Sequence, residues 1–435
     1  MSSAGSLFSA SLLIVCIAVS GFAAGDESLL SGTPRYGWTV DSITVAGNTK
    51  TQDLVILREM ETRPGDVLTE MIIERDVRFL RGLGLFADVE AVADSIAPGR
   101  VALRITVKER SSYFLKTFLP IVNYDFDKGF SYGLKWNNRN FRGLRESLVG
   151  SYLRDTSDND NFSFSWFAPW LGWEHVEFGA NAWYFNRNEI PINFNILKQL
   201  GSSVRLGVPL TKKRISFSQF LARLAIENRE AGNTKGELVE QLYLSPLAGV
   251  LLDSRDSRLR PTRGHYFYFA VASWRAVDGP SQIYYRLWND SRLYLPLSDK
   301  DVLAIRSDLN YQFGEYPEYL LVGLGGSGTL RGYSPAQFIG EHRWFHSFEW
   351  RHILMPRRVF KLPYLDFFDL TIGTVLFVDS GIVWRSADTF TAGNFHGGAG
   401  FGFRFYSPYQ DVVRLDVGFN GRGEIFPSLR TGIRF

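Results

Sequence analysis

Three groups of residues have types and spacings that could do chemistry. Gly323, Gly325 and Gly328 form G-x-G-x-x-G directly after an apolar run, the pattern in which N–H groups at a helix start hold a dinucleotide pyrophosphate. That chemistry needs a helix opening at the glycines. Gly332 and Pro335 follow within seven residues of Gly328 and break helices, and no apolar 3.6 period follows, so the glycines require another role. Asp253 and Asp256 resemble the paired carboxylates of a hydrolase. Arg255 and Arg258 flank them and would hold both acids ionised, which leaves no proton donor at neutral pH. His342 and His346 stand four apart in "HRWFH" without the Glu of H-E-x-x-H. The stretch reads as a strand, where that separation spans about 13 Å, too far for one metal. No G-x-S-x-G elbow or Walker A sequence occurs. The sequence therefore predicts no catalytic residues, no cofactor and no metal site.

The elements that would carry these residues are strands. Phe, Trp and Tyr make up 15% of the 435 residues and Gly contributes 41, a combination that favours strands, aromatic girdles and turns. Lys and Arg (48) nearly balance Asp and Glu (45), so no basic surface for nucleic acid is implied. From Ser111 onward apolar residues recur with period two. In "VVRLDVGF", Val413, Leu415, Val417 and Phe419 alternate with Arg414, Asp416 and Gly418. Many such segments reach the roughly 9–11 residues that a tilted strand needs to cross a bilayer. No later run reads as a transmembrane helix, so a membrane-spanning chain would have to close as a barrel. Counting gives about 16 candidate strands, an even number that returns both barrel ends to one side.

Two units precede the strands. Residues 1–24 read as a signal peptide with an apolar core and small residues at its end, Ala23 or Gly25 marking the cleavage position. No Lys or Arg occurs before Arg35, so an N-terminal membrane anchor is the alternative. Cys16 is the only cysteine and lies in this segment, which leaves the mature chain without disulfides. "LIVC" lacks the small residue that a lipoprotein signal needs just before its cysteine. After a linker at 25–37, residues 38–110 read as a β-α-α-β-β unit. Its helices are expected at Thr51–Glu61 and after Thr69 as N-cap, with Ile72, Ile73, Val77 and Leu80 on one stripe. Its last strands are expected at Asp88–Ala93 and Val101–Val107, joined at Pro98–Gly99.

"ITVAGNTKTQDLVILREMETRPGDVLTE", "LRGLGLFADVEAVAD" and "VALRITVKER" resemble a POTRA domain, the periplasmic module of the BamA/TamA-like outer-membrane assembly factors. The resemblance implies a mainly β chain: one small α+β POTRA domain followed by a 16-stranded antiparallel transmembrane barrel over 111–435. "LRGY" (Leu330, Arg331, Gly332, Tyr333) matches the motif at the tip of that family's sixth extracellular loop, which folds back into the lumen. An arginine placed there needs carboxylate partners, and the resemblance implies Glu349 in "SFEWRHIL" and Asp379 in "LFVDSGIVW". Glycines 323, 325, 326, 328 and 332 would let the loop turn sharply against the wall. "LLDSRDSRLRPTRGHYF" resembles the family's D-x-R-D…P-x-x-G signature, carried here by Asp253, Arg255, Asp256, Pro261 and Gly264. The terminal "PSLRTGIRF", with Gly432, Ile433 and Phe435, resembles the signal by which such barrels are recognised for insertion, and Gly432 is expected to weaken pairing of the last strand.

The functional expectation is a non-enzymatic insertase in the bacterial outer membrane, with its POTRA domain in the periplasm. Its implied partners are unfolded outer-membrane proteins, periplasmic chaperones or lipoproteins at the POTRA domain, and the lipid bilayer. A two-partner secretion pore shares the fold and loop motif, and a specialised assembly or lipid-remodelling barrel is the other alternative.

Overall fold

The computed structural model describes residues 36–432 apart from 111–115, 126–128, 173–174, 187–195, 211–217, 233–237, 258, 279–281, 318–319, 363–364, 386–388 and 408–410. The signal segment, Cys16, Ile433 and Phe435 lie outside the described residues.

The N-terminal unit runs β1 (Thr39–Ala46), α1 (Asp53–Glu59), α2 (Glu70–Gly82), β2 (Phe86–Ala97) and β3 (Arg100–Glu109). Its sheet has the order β1-β3-β2, with β1 parallel and β2 antiparallel to β3. Thr69 caps α2 by accepting the Ile72 N–H, and Ile73, Val77 and Leu80 enter a core with Val55, Ile56, Leu103 and Ile105. Each such side chain contributes about 1.5–3 kcal/mol on burial. The first helix is shorter than expected. Thr51 and Gln52 are held outside it by bonds to Glu109 and to the next domain, while Met60 leaves it in an extended conformation. The two strands run longer than the expected Asp88–Ala93 and Val101–Val107 because their pairing continues through bulges almost to the turn.

The next strands are β4 (Lys116–Asp125), β5 (Gly129–Phe141), β6 (Glu146–Asp155), β7 (Asp160–Ala168), β8 (Glu177–Asn186), β9 (Ile196–Pro209), β10 (Gln219–Gly232) and β11 (Leu238–Asp253). They continue as β12 (Gly264–Ala276), β13 (Ile283–Pro296), β14 (Asp301–Gly314), a loop hairpin of β15 (Val322–Leu324) and β16 (Phe338–Gly340), then β17 (His342–Leu362) and β18 (Leu365–Trp384). The last are β19 (His396–Ser407), β20 (Asp411–Asn420) and β21 (Ile425–Thr431). All except β15 and β16 form one closed antiparallel barrel of sixteen strands. Period two sorts its side chains. On β13, Tyr285, Leu293 and Leu295 are exposed on the outer face, whereas Tyr284 and Tyr294 are buried and Asp290 and Arg292 form an ion pair inside. Closure satisfies the backbone where no water is available.

Closure is uneven. β4 pairs with β5 along its whole length, from Lys116–Asn138 to Asp125–Gly129. Against β21 it pairs, among the described residues, only through Asp125–Ser428 and Tyr124–Leu429. Asn123 extends this seam with its side chain, whose Oδ1 accepts the Thr431 N–H at 3.1 Å.

The N-terminal domain is fastened to the barrel turns beside β5–β8. Gln52 N–H donates to Gly143 O at 2.9 Å, Asn140 Nδ2 donates to Thr51 Oγ1 at 2.9 Å and Arg58 Nη2 donates to Leu144 O at 2.9 Å. Glu59, itself buried, accepts from Arg145 Nη1 at 2.8 Å and from Trp170 Nε1 at 3.0 Å. Gly143 has φ +71, and a methyl group there would overlap the Lys50 carbonyl, so only glycine suits this contact. Behind the joint, burial pushes the Glu109 carboxyl up, but hydrogen bonds from Thr51, Thr49 and the Lys50 N–H outweigh it and hold the group below the ordinary carboxylate range.

A lowered folded-state pKa stabilises above the unfolded value of about 4.3 and is lost as pH falls through the folded value. Glu109→Gln is therefore expected to speed amide exchange at Lys50 and Thr51 near pH 7, with the difference from wild type closing on acidification below about pH 4. An equal difference at both pH values would show that the charge of Glu109 is not what holds the joint.

Candidate functional site

The candidate site is the loop between β14 and β17, which enters the barrel and seats Arg331 in its wall. The loop's glycines act at specific points. Gly325 (φ +126), Gly326 (φ +85) and Gly332 (φ +94) occupy the left-handed region, which side chains disfavour. Gly323 lies too close to Ala336 for a side chain, whereas Gly328 has open space around it. No helix opens at the G-x-G-x-x-G stretch; β15 pairs with β16 there instead.

The wall is shaped to receive the loop. A methyl group on Gly398 of β19 would overlap the Arg331 carbonyl, and one on Gly418 of β20 would crowd the Gly332 N–H. Leu330 is fully buried beside Leu324 and Phe345. Tyr333 donates its hydroxyl to Gly397 O at 3.0 Å.

Arg331 is 2% exposed. Its Nε donates to Asp379 Oδ2 at 2.7 Å and its Nη2 to Asp379 Oδ1 at 2.9 Å, a bidentate fork. Nη1 donates to Glu349 Oε1 at 2.8 Å, and the backbone N–H to Asp379 Oδ2 at 3.1 Å. The guanidinium carbon stands 3.3 Å from the centre of the Phe377 ring, close enough for cation–π attraction. Ser347 donates to Asp379 Oδ1 at 2.6 Å. The network then continues: Arg351 Nε donates to Glu349 Oε2 at 2.9 Å and Arg404 Nη1 to Asp416 Oδ1 at 2.7 Å. Arg331, Arg351 and Arg404 face Glu349, Asp379 and Asp416, three charges of each sign. Such balance makes burial tolerable, since an unpaired ion away from water is costly.

The fold thus brings together Arg331, Asp379 and Glu349. Sequence reasoning missed Arg351, Arg404, Asp416, Ser347, Phe377 and the receiving glycines. Asp416 stood in a stretch already singled out, as a polar member of an alternation, and Arg351 in the stretch quoted for Glu349, but only strand register shows which partner each meets.

The Asp253 stretch lies elsewhere, in the turn between β11 and β12. Arg255 binds Asp253 through Nε and Nη2, both at 2.8 Å. Asp256 holds the turn by accepting from Thr262 N–H at 2.8 Å and from the Thr262 hydroxyl. Gly264 has φ +101, and Pro261 is buried. Asp256 therefore shapes the turn; Arg258 is outside the described residues. His342 stacks on Tyr311 with ring centres 4.1 Å apart, and His346 packs against Trp344. Among the described residues no group of three His, Cys, Asp or Glu could hold a metal. Gly432 directly follows the described part of β21 with φ +104, and its N–H donates to Val412 O at 2.7 Å, next to the Val413–Thr431 register pair.

A sixteen-stranded barrel, a β-α-α-β-β domain at the end where its first strand begins, and an inserted loop locked by arginine define an outer-membrane barrel with a periplasmic POTRA domain. Family comparison agrees: residues 140–425 match the Omp85 superfamily domain and residues 38–110 match the POTRA model described as surface antigen variable number repeat. The chain belongs to the Omp85 superfamily. It is 26% identical over 324 residues to the outer membrane protein assembly factor BamA of Neisseria meningitidis serogroup B, covering 68% of this chain and 39% of that one. With BamA of Nitratidesulfovibrio vulgaris it shares 23% over 410 residues, 87% of this chain and 48% of the relative. The chain thus spans less than half the length of these relatives. Its fold is similar to BamA from Haemophilus ducreyi lacking POTRA domains 1–3 (TM-score 0.62, 19% identity, 91% of this chain and 84% of that chain). It is also similar to CdiB from Acinetobacter baumannii (TM-score 0.58, 13% identity, 91% and 74%). The protein resides in the bacterial outer membrane.

Reversing one partner tests the lock. Asp379→Arg should expose the loop to protease, at a cost of about 3–5 kcal/mol for an uncompensated buried charge, and adding Arg331→Asp should restore protection in part. Unchanged cleavage in the single variant would mean that the ion pair does not hold the loop.

Proposed function

We propose that this chain is a non-enzymatic assembly factor that helps β-barrel clients fold into the outer membrane. The observation that carries this reading is the seam. Between Lys116 and Asn123 no residue of β4 has a register partner on β21 among the described residues, so along that stretch β4 makes no ladder bond with the described part of β21. Unpaired groups there cost several kcal/mol each, and an incoming client strand can satisfy them without any particular sequence. Extended edges bind by backbone hydrogen bonding, which suits a factor that handles many clients.

The POTRA domain supports the same reading. β2 lies at the outer edge of its sheet, where an extended segment of an unfolded client, a chaperone or a lipoprotein can add as a further strand. The joint at Gln52, Glu59 and Gly143 fastens this domain to the turns of β5–β8, on the β4 side of the seam. The relatives named outer membrane protein assembly factor point the same way.

The test is a lock across the seam. Tyr124→Cys with Leu429→Cys places a cysteine pair at a register position, in a chain whose only native cysteine is Cys16. In liposomes, the reduced form should accelerate folding of a model barrel, read as protease protection, and the oxidised form should not. Full acceleration by the locked form would rule out a templating seam. Absence of acceleration in either form, together with ion conductance, would favour a translocation pore instead.

A further inference from the structure

The lumen wall of β10–β14, on the far side of the barrel from the seam, holds more positive charge than its ion pairs balance. Asp290 takes Arg292 and Arg306, and Asp308 takes Arg306 and Arg343 of β17, so three guanidiniums share two carboxylates. Arg286 adds a fourth cation, which donates from Nε to the neutral Gln312 Oε1 at 3.2 Å. Arg223 adds a fifth. It stands directly opposite Arg205 in the β9–β10 register, and Arg205 is the one with Glu177 at 3.7 Å. Among the described residues no carboxylate lies within ion-pair distance of Arg223, and its Nε is buried without an acceptor.

Like charges facing each other across a strand pair are destabilising, and a buried guanidinium nitrogen without an acceptor is costly. The wall is recessed at this point. A cavity of about 280 Å³ opens onto Arg223, Leu247, Tyr268, Trp288, Asp290 and Asp308. Asn289 also lines it, and the two carboxylates in it are already held by arginines, which leaves Arg223 as the lining cation without a carboxylate partner among the described residues.

We propose that this recess binds a small anion carrying a carboxylate or a phosphate group, with Arg223 as its principal donor. The guanidinium fork matches the paired oxygens of either group. Tyr268, Trp288 and Leu247 line the remaining surface, and repulsion from Asp290 and Asp308 directs the anion toward Arg223. The site shares no residue with the loop lock or the seam.

The experiment is calorimetric titration of the full chain in a zwitterionic detergent, at constant ionic strength, with inorganic phosphate and separately with acetate. Saturable binding at one site is expected. Arg223→Gln should weaken it about tenfold or more, while Arg223→Lys should retain part of it and leave the heat-modifiable gel mobility of the folded barrel unchanged. Saturation by phosphate alone would assign the site to phosphate, and saturation by both would assign it to the oxygens the two share. No saturable heat with either anion, or equal affinity in Arg223→Gln, would overturn the proposal.

Discussion

Every backbone N–H and C=O inside a bilayer needs a partner within the protein, and of the sixteen strand interfaces the one between β4 and β21 has the fewest register pairs among the described residues. Between β4 and β21 the described residues form two register pairs, extended by the side chain of Asn123. The rest of the structure is arranged around that weak interface. Closure there is sufficient to make a barrel, and short enough that another strand can compete for the edge.

Two braces lie on opposite sides of the seam. On the β4 side, the POTRA domain grips the turns between β5 and β8 through Gln52, Arg58 and Glu59. On the β21 side, the inserted loop spans β17 to β21: Arg331 binds Glu349 and Asp379, Gly332 packs on β20, and Arg430 of β21 donates from Nε to Ser327 Oγ at 2.8 Å. A break at the seam therefore separates two stiffened halves, and any bending falls on the strands between them. This arrangement explains why a buried charge network is used where an apolar core would be cheaper to form. Arginine and carboxylates fix one geometry for the loop, which plain apolar packing specifies less sharply.

Much of this was legible in the sequence. Period two, strand length and an even strand count led to the barrel, because a lipid-facing wall imposes that alternation on every strand. The loop motif, and Glu349 and Asp379 as its partners, were readable through the resemblance to the assembly-factor barrels; charge balance alone requires some carboxylate near a lumen arginine without selecting which. What could not be read depends on register. Arg351, Arg404 and Asp416 join the network because β17, β19 and β20 align them, and nothing local to those strands distinguishes them from other lumen polar residues. Gly398 and Gly418 read as ordinary strand glycines until the loop lies on them. The joint was hidden for the same reason: Glu59 and Arg145 are 86 positions apart, and each reads as a surface charge. Local propensity also placed the ends of α1 too far out, since tertiary bonds to Thr51 and Gln52 override it.

The central claim is that the seam opens while the POTRA domain stays with the β4 side. It is tested by distance measurements between spin labels, one pair across the seam at Phe118 and Ile425 and another pair at Leu54 and Leu171, all exposed positions. On addition of an unfolded barrel client, the seam distribution should lengthen and broaden while the Leu54–Leu171 distribution stays as it was. A seam distance that does not change while the client folds faster would contradict the account.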